Sequence, residues 1–181
     1  MGEQSDVPGT MDVAAAVREG RWSLDAAKST VEFHVKHFWG AITVHGGFER
    51  FEGEGSVALD GAISGRLTID ATSLTTGNRK RDEHLRSADF FDAEHHPVVV
   101  VSARDLVPAG ASALQGRVAL QAAGHEHEFA ATVAVLEAGP DAVTLRGELV
   151  VDRTAYDMTW SPLAMASKQA RAVVTARFVR A

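Results

Sequence analysis

Val31-Glu32-Phe33-His34-Val35-Lys36 alternates apolar and polar residues with a period of two. In an extended chain this places the three apolar side chains on one face and the three polar ones on the other, the pattern of a half-buried β-strand. The same texture recurs through residues 48–59, 65–71, 98–106, 115–122, 127–136, 143–151 and 170–179, predicting eight strands. Gly or Pro stands at the breaks, in Gly46-Gly47, Asp60-Gly61, Pro108 with Gly110, Gly124, and Gly139-Pro140-Asp141. These are predicted hairpin turns. Strands that follow one another through short turns form an antiparallel up-and-down sheet, and eight of them can close into a barrel that leaves no exposed edge. The interior of such a barrel has room for one small ligand. The predicted class is all-β.

Outside this pattern the N-terminus is polar, with Pro8 and Gly9, and then Met11, Val13, Ala14 and Val17 follow a helical spacing with Asp12 near the start and Gly20 at the end. Two long stretches interrupt the strands, residues 72–94, dense in charge, and residues 154–169, where Trp160 and Pro162 break the alternation. Connections of this length are usually functional. The division expected is an extension with a short helix over residues 1–21 and a barrel domain over residues 22–181.

The 181 residues contain no Cys, which excludes disulfide scaffolds and Cys-ligated metal centres. A chain of this length buries roughly 70% of its unfolded surface and needs no such staples. The net charge of −6 and the pI near 5.7 give no general attraction to phosphate backbones, so nucleic acid is not an expected partner. The N-terminus is acidic at Glu3 and lacks an apolar stretch, which predicts a cytoplasmic location. The densest apolar block, Val98-Val99-Val100-Val101, is far short of a membrane span. Gly-x-Ser-x-Gly, Gly-x-x-x-x-Gly-Lys-Ser/Thr and His-Glu-x-x-His motifs are all absent. The spacing of Gly53 and Gly55 reads as a bulge or tight bend rather than a nucleotide fingerprint.

Of the eight histidines, His125 and His127 are the strongest metal candidates, since one intervening residue puts both on one strand face. Ala131 and Thr132 stand where a further carboxylate ligand would be wanted, and Gly124 suggests a hairpin tip instead. His34, His37, His45, His95 and His96 read as surface or turn positions.

The segment Thr76-Gly77-Asn78-Arg79-Lys80-Arg81-Asp82-Glu83-His84-Leu85-Arg86 is the densest in ionisable groups, and Ser87-Ala88-Asp89-Phe90-Phe91-Asp92 follows it. Two adjacent Phe beside charged residues predict a connection that folds back over the barrel mouth. Thr76-Gly77-Asn78, Arg81 to Ser87, Asp89-Phe90-Phe91-Asp92 and His96-Pro97 together resemble the signature of the YceI-like family of polyisoprenoid-binding, lipocalin-like proteins. The resemblance extends to Trp22-Ser23-Leu24-Asp25, Ser29 to Phe33, Lys36-His37, Gly47-Phe48, Phe51, Gly53, Leu114-Gln115-Gly116 and Arg153-Thr154-Ala155-Tyr156-Asp157-Met158. It departs at Gly124-His125-Glu126-His127-Glu128-Phe129, which is acidic and histidine-rich where the family has a basic, proline-containing turn.

The resemblance implies an extended eight-stranded antiparallel barrel whose apolar tunnel holds an isoprenoid or other lipid-like chain, without catalysis and without a cofactor, in a family often exported and often a homodimer. The tunnel lining expected is Phe33, Val35, Phe38, Ile42, Leu67, Ile69, Leu85, Phe90, Phe91, Met158 and Trp160, with Asp82, His84 and Arg86 at a polar end or anchoring the loop. Two further readings compete: a metal-binding protein or enzyme using His125, His127 and Glu126 or Glu128, and a filled-core interaction module acting through its outer surface.

Overall fold

A computed structural model describes residues 13–181. The alternating segment that opens the barrel is split in two, β1 (Gly20–Leu24) and β2 (Thr30–His37), by the turn Ala26–Lys28. Both halves pair with the last strand, β11 (Gln169–Arg180), Trp22 opposite Arg180 and Phe33 opposite Ala172. The break stays stitched to β11: Asp25 donates its N–H to the Arg177 carbonyl at 2.8 Å, and Arg177 donates its own to Ser29 Oγ at 2.9 Å. The next strand is also split, into β3 (Ile42–Phe48), which pairs with β2, and β4 (Phe51–Val57), which pairs with β1.

From there each strand pairs antiparallel with its successor: β5 (Ile63–Asp70), β7 (Val98–Pro108), β8 (Ala113–Ala122), β9 (His125–Ala138) and β10 (Ala142–Asp152), which reaches β11. The result is a closed eight-stranded antiparallel barrel. Between β5 and β7 lie the two-residue strand β6 (Leu74–Thr75), paired to the end of β3, and the helix α2 (Arg79–Arg86).

Alternation decides which face is inside. Phe33 lies opposite Ala172 and Val31 opposite Val174 on β2 and β11, and Leu67 lies opposite Val101 on β5 and β7. Val31, Phe33, Leu67, Val101 and Val174 belong to, or pack against, one apolar core. Leu114 and Leu74 are fully buried. At the end of the barrel away from α2, the single helical turn α1 (Val13–Ala16) and the residue after it bring Val13 and Val17 into the core at 2% and 8% exposure. There they meet Trp22, whose indole Nε1 donates to the Arg18 carbonyl at 3.1 Å. The expected helix residues Met11 and Asp12 fall outside the described residues.

Two glycine readings are corrected. Gly46-Gly47 is not a turn but lies within β3, near its end, opposite Phe33 and Glu32, and the chain reverses at residues 38–41 instead. The reason is steric: a Cβ on Gly46 would lie 2.2 Å from the Phe33 ring, so glycine lets that ring lie across the strand. Gly53 and Gly55 make no bulge, since β4 pairs with β5 in unbroken register. A Cβ on Gly53 would lie 2.5 Å from a Leu67 methyl, so here too glycine makes room for an inward side chain.

Candidate functional site

Two apolar cavities lie one above the other inside the barrel. The proximal one, about 210 Å³, lies beneath α2 and the connections at that end. The distal one, about 140 Å³, extends toward α1 and is lined by Val13, Val17, Trp22, Leu106, Leu114 and Phe178, among others. Val101, Leu120, Ala172 and Val174 line both, forming a shared waist. Inward positions of β11 carry small residues that leave space along the interior: Ala170 at the proximal cavity, Ala172 at the waist and Ala176 at the distal cavity, opposite bulkier residues such as Val35, Phe33 and Leu145. Close packing would otherwise fill the interior.

The connection over residues 71–97 covers the proximal cavity and is held in place by hydrogen bonds among its own groups, although the buried Nε of Arg86 finds no partner. Asn78 caps α2 by accepting the Arg81 N–H at 3.1 Å. Asp82, only 6% exposed, accepts the Thr76 N–H at 2.8 Å and the hydroxyls of Thr76 and Thr75. Arg81 donates back to Thr76 Oγ1 at 2.7 Å, and Arg86 donates to the Leu74 carbonyl. The chain then turns Phe91 inward, its N–H bonded to the Leu85 carbonyl at 3.0 Å. Its ring completes a triangle with Phe33 and Phe48, with centroids 5.6 to 6.0 Å apart.

The second cover comes from residues 153–168, organised by one buried side chain. Arg153 is 5% exposed and donates to the Ser167 carbonyl at 2.7 Å and to those of Met158, Trp160 and Ala166. Burial lowers the pKa of its guanidinium. The two covers meet where His84, held by Asp89 at 2.8 Å, stands edge-on to Phe90 and to Trp160, with centroids 5.2 and 4.4 Å away. Tyr156 lies beneath, its hydroxyl donating to the Leu120 carbonyl at 3.3 Å, and burial pushes its pKa up to about 12.

Of the residues expected to line a tunnel, Phe33, Val35, Ile69, Leu85, Phe90, Phe91, Met158 and Trp160 border the proximal cavity, and Leu67 borders the distal one. Phe38 and Ile42 border neither and are 46% and 52% exposed. Inward parity runs through Phe33, Val35 and His37, so Phe38 falls outside it, and Ile42, paired with His37, stands at the rim where the chain reverses through the positive φ of Phe38 and Trp39. Of the polar trio, His84 borders the cavity, while Asp82 and Arg86 hold the loop. Sequence reasoning missed His37, Arg81, Arg153 and Tyr156, together with every lining residue from β7 to β11. Strand parity carried forward from Phe33 through its partner Ala172 reaches the β11 set.

His125 and His127 do not converge. His125 Nε2 pairs with Asp157 at 2.9 Å, and His127 Nε2 with the Ala155 carbonyl at 3.0 Å. Among the described residues no group of three or more His, Asp or Glu could hold a metal ion, and no helix is long and apolar enough to cross a membrane.

Both covering connections start alike. At the ends of β5 and β10, Asp70 and Asp152 accept the N–H and hydroxyl of Thr72 and Thr154 at 2.6 to 2.9 Å. These bonds, from the threonine hydroxyl first, hold both carboxyls below their usual pKa, with Arg50 adding to the effect at Asp70. A carboxyl depressed by folding contributes stability that is complete above its ordinary pKa, near 4, and is lost as the pH falls through the depressed value. Asn at both positions retains an acceptor but cannot titrate. The unfolding temperature of the wild type is therefore expected to fall more steeply below about pH 4 than that of the Asp70→Asn, Asp152→Asn double variant. Parallel curves in scanning calorimetry would remove these carboxyls from the account.

Comparison with known proteins places this geometry. A family model described as the YceI-like domain matches residues 22–178. A UPF0312 protein of Vibrio cholerae serotype O1 is 28% identical over 135 residues, covering 72% of this chain and 71% of that protein. Burkholderia cenocepacia BcnA superposes with a TM-score of 0.76 at 21% identity, over 85% of this chain and 98% of its own. A polyisoprenoid binding domain from Saccharophagus degradans, implicated in plant cell wall breakdown, superposes at 0.73 and 16% identity, over 88% of this chain and 98% of its own.

Proposed function

The chain belongs to the YceI-like domain family, and from that premise we propose that it is a non-catalytic carrier for a long-chain isoprenoid or similar amphipathic lipid. The observation that carries the reading is the pair of apolar cavities stacked along the barrel, separated by a waist of Val101, Leu120, Ala172 and Val174 that lines both, an interior suited to a hydrocarbon chain. The S. degradans neighbour, a polyisoprenoid binding domain, supports the same ligand class.

The interior commits its polar atoms elsewhere. Arg153 spends its donors on loop carbonyls, and Arg81 donates to Thr76. The hydrocarbon would therefore occupy the waist and distal cavity, with the polar head at the rim beside His84 and Trp160. Burial supplies the affinity, at about 25 cal/mol per Å² before the ordering costs of binding are subtracted. Selection along the tail would be loose.

The test is mass spectrometry of the organic extract from untagged protein purified under mild conditions, with native mass spectrometry of the same sample. A stoichiometric isoprenoid or acyl species is expected. Trp160→Ala or Phe90→Ala should reduce its retention severalfold while circular dichroism stays β-like. Absence of any lipid, or unchanged retention in both variants, would overturn the assignment.

A further inference from the structure

The barrel end that bears the proximal cavity also bears an apolar surface that the interior does not use. Trp39 and Leu163 are 73% and 81% exposed, with Phe38 and Ile42 beside Trp39 on the hairpin between β2 and β3. Two different connections supply them, and backbone bonds tie these together: Trp39 N–H to the Met165 carbonyl at 3.2 Å, and Ser167 N–H to the Lys36 carbonyl at 2.9 Å. Phe38, Trp39, Leu163 and Ala164 all have φ between 50° and 53°. A side chain in that region costs on the order of 1 kcal/mol or more, and no burial among the described residues offsets it for Trp39 or Leu163. Apolar groups presented so persistently mark a contact surface.

Charge distinguishes the partner. In a chain of net charge −6, neither residues 33–48 nor residues 158–181 contain an Asp or Glu, while exposed Lys36 and Lys168 flank the two loops, Lys168 with Asp152 of the adjoining connection as its acidic neighbour. A second copy joined through this patch would oppose like charges, whereas an anionic bilayer complements them. The patch is also continuous with the cavity: Phe38 packs edge-on against His37 at 4.5 Å, and both His37 and the partly exposed Trp160 border the proximal cavity.

We propose that this end of the barrel docks on an anionic lipid bilayer, with Trp39 and Leu163 entering the interfacial layer and Lys36 and Lys168 facing the head groups. Indole rings favour that layer, and lysine stems reach back to it. The proposal goes beyond the carrier reading: docking would place the cavity rim against the phase from which a lipid is drawn.

Flotation with vesicles of phosphatidylcholine, alone and mixed with phosphatidylglycerol, tests docking on wild-type protein with no ligand added. The wild type is expected to float with the mixed vesicles and less with phosphatidylcholine alone. Trp39→Ser with Leu163→Ser, both at exposed positions, is expected to lower the partition coefficient by about tenfold or more. Lys36→Gln with Lys168→Gln is expected to abolish the preference for the anionic lipid. A wild type that stays at the bottom of the gradient, or a serine double variant that floats equally well, overturns the proposal. So does a wild-type dimer in native mass spectrometry that the serine variant converts to monomer, which would assign the patch to a second copy. Failure here leaves the ligand extraction result untouched, and a barrel without ligand can still float.

Discussion

Replacing Ala172 with Trp is expected to close the barrel at its waist and reduce retention of a long-chain ligand by about tenfold or more. Ala172 borders both cavities and faces Phe33 across the β2–β11 ladder, so an indole there would fill the waist that separates them. Overpacking costs about 1–3 kcal/mol in stability, which a closed eight-stranded ladder can absorb without losing its fold. Native mass spectrometry after mild purification reads the retention, and circular dichroism reads the fold. Val150→Trp, on an exposed position of the neighbouring strand β10, is the control and should retain ligand normally. Wild-type stoichiometry in Ala172→Trp would show that no bound chain traverses the waist.

The second large effect is expected from Arg153→Met. The guanidinium is buried and its hydrogen-bond partners are all carbonyls, from Met158, Trp160, Ala166 and Ser167. A methionine replaces the aliphatic stem but carries no donor, and a buried carbonyl left unpaired costs about 1–3 kcal/mol. Several are freed together, but the loop can open to water, so a net loss of about 3 kcal/mol is expected. Urea unfolding measures it, and limited proteolysis should cut within residues 157–168 first. Arg153→Lys should recover only part of the loss, because an ammonium lacks the planar fork that reaches several carbonyls at once. Unchanged stability in Arg153→Met would mean that the loop is held by other contacts.

The barrel was legible in the sequence because its physics is local. Period two along Val31-Phe33-Val35 and the turns at Asp60-Gly61, Gly124 and Gly139-Pro140 are set by neighbouring residues. What failed was whatever depended on partners distant along the chain. Gly46-Gly47 has the composition of a turn, and only the Phe33 ring packed across it shows why glycine is required inside a strand. Phe38 and Ile42 are as apolar as any lining residue, yet Phe38 falls on the outward parity after His37, and Ile42, paired with His37, stands at the rim beyond the cavity. Arg153 carried no local mark of burial, since the carbonyls that hold it lie 5 to 14 residues further on. The aromatic pair Phe90-Phe91 was readable because two Phe among charges must find shelter somewhere.

The apolar stopper at the far end has a different kind of consequence. Val13 and Val17 close the distal cavity from a segment that contributes nothing to the ladder, and their turn precedes the residues matched by the family model. The barrel is thus a vessel whose floor is a separate part. Its depth can be raised, lowered or removed by substitutions at two valines, with every strand register, both covering loops and the mouth left as they are.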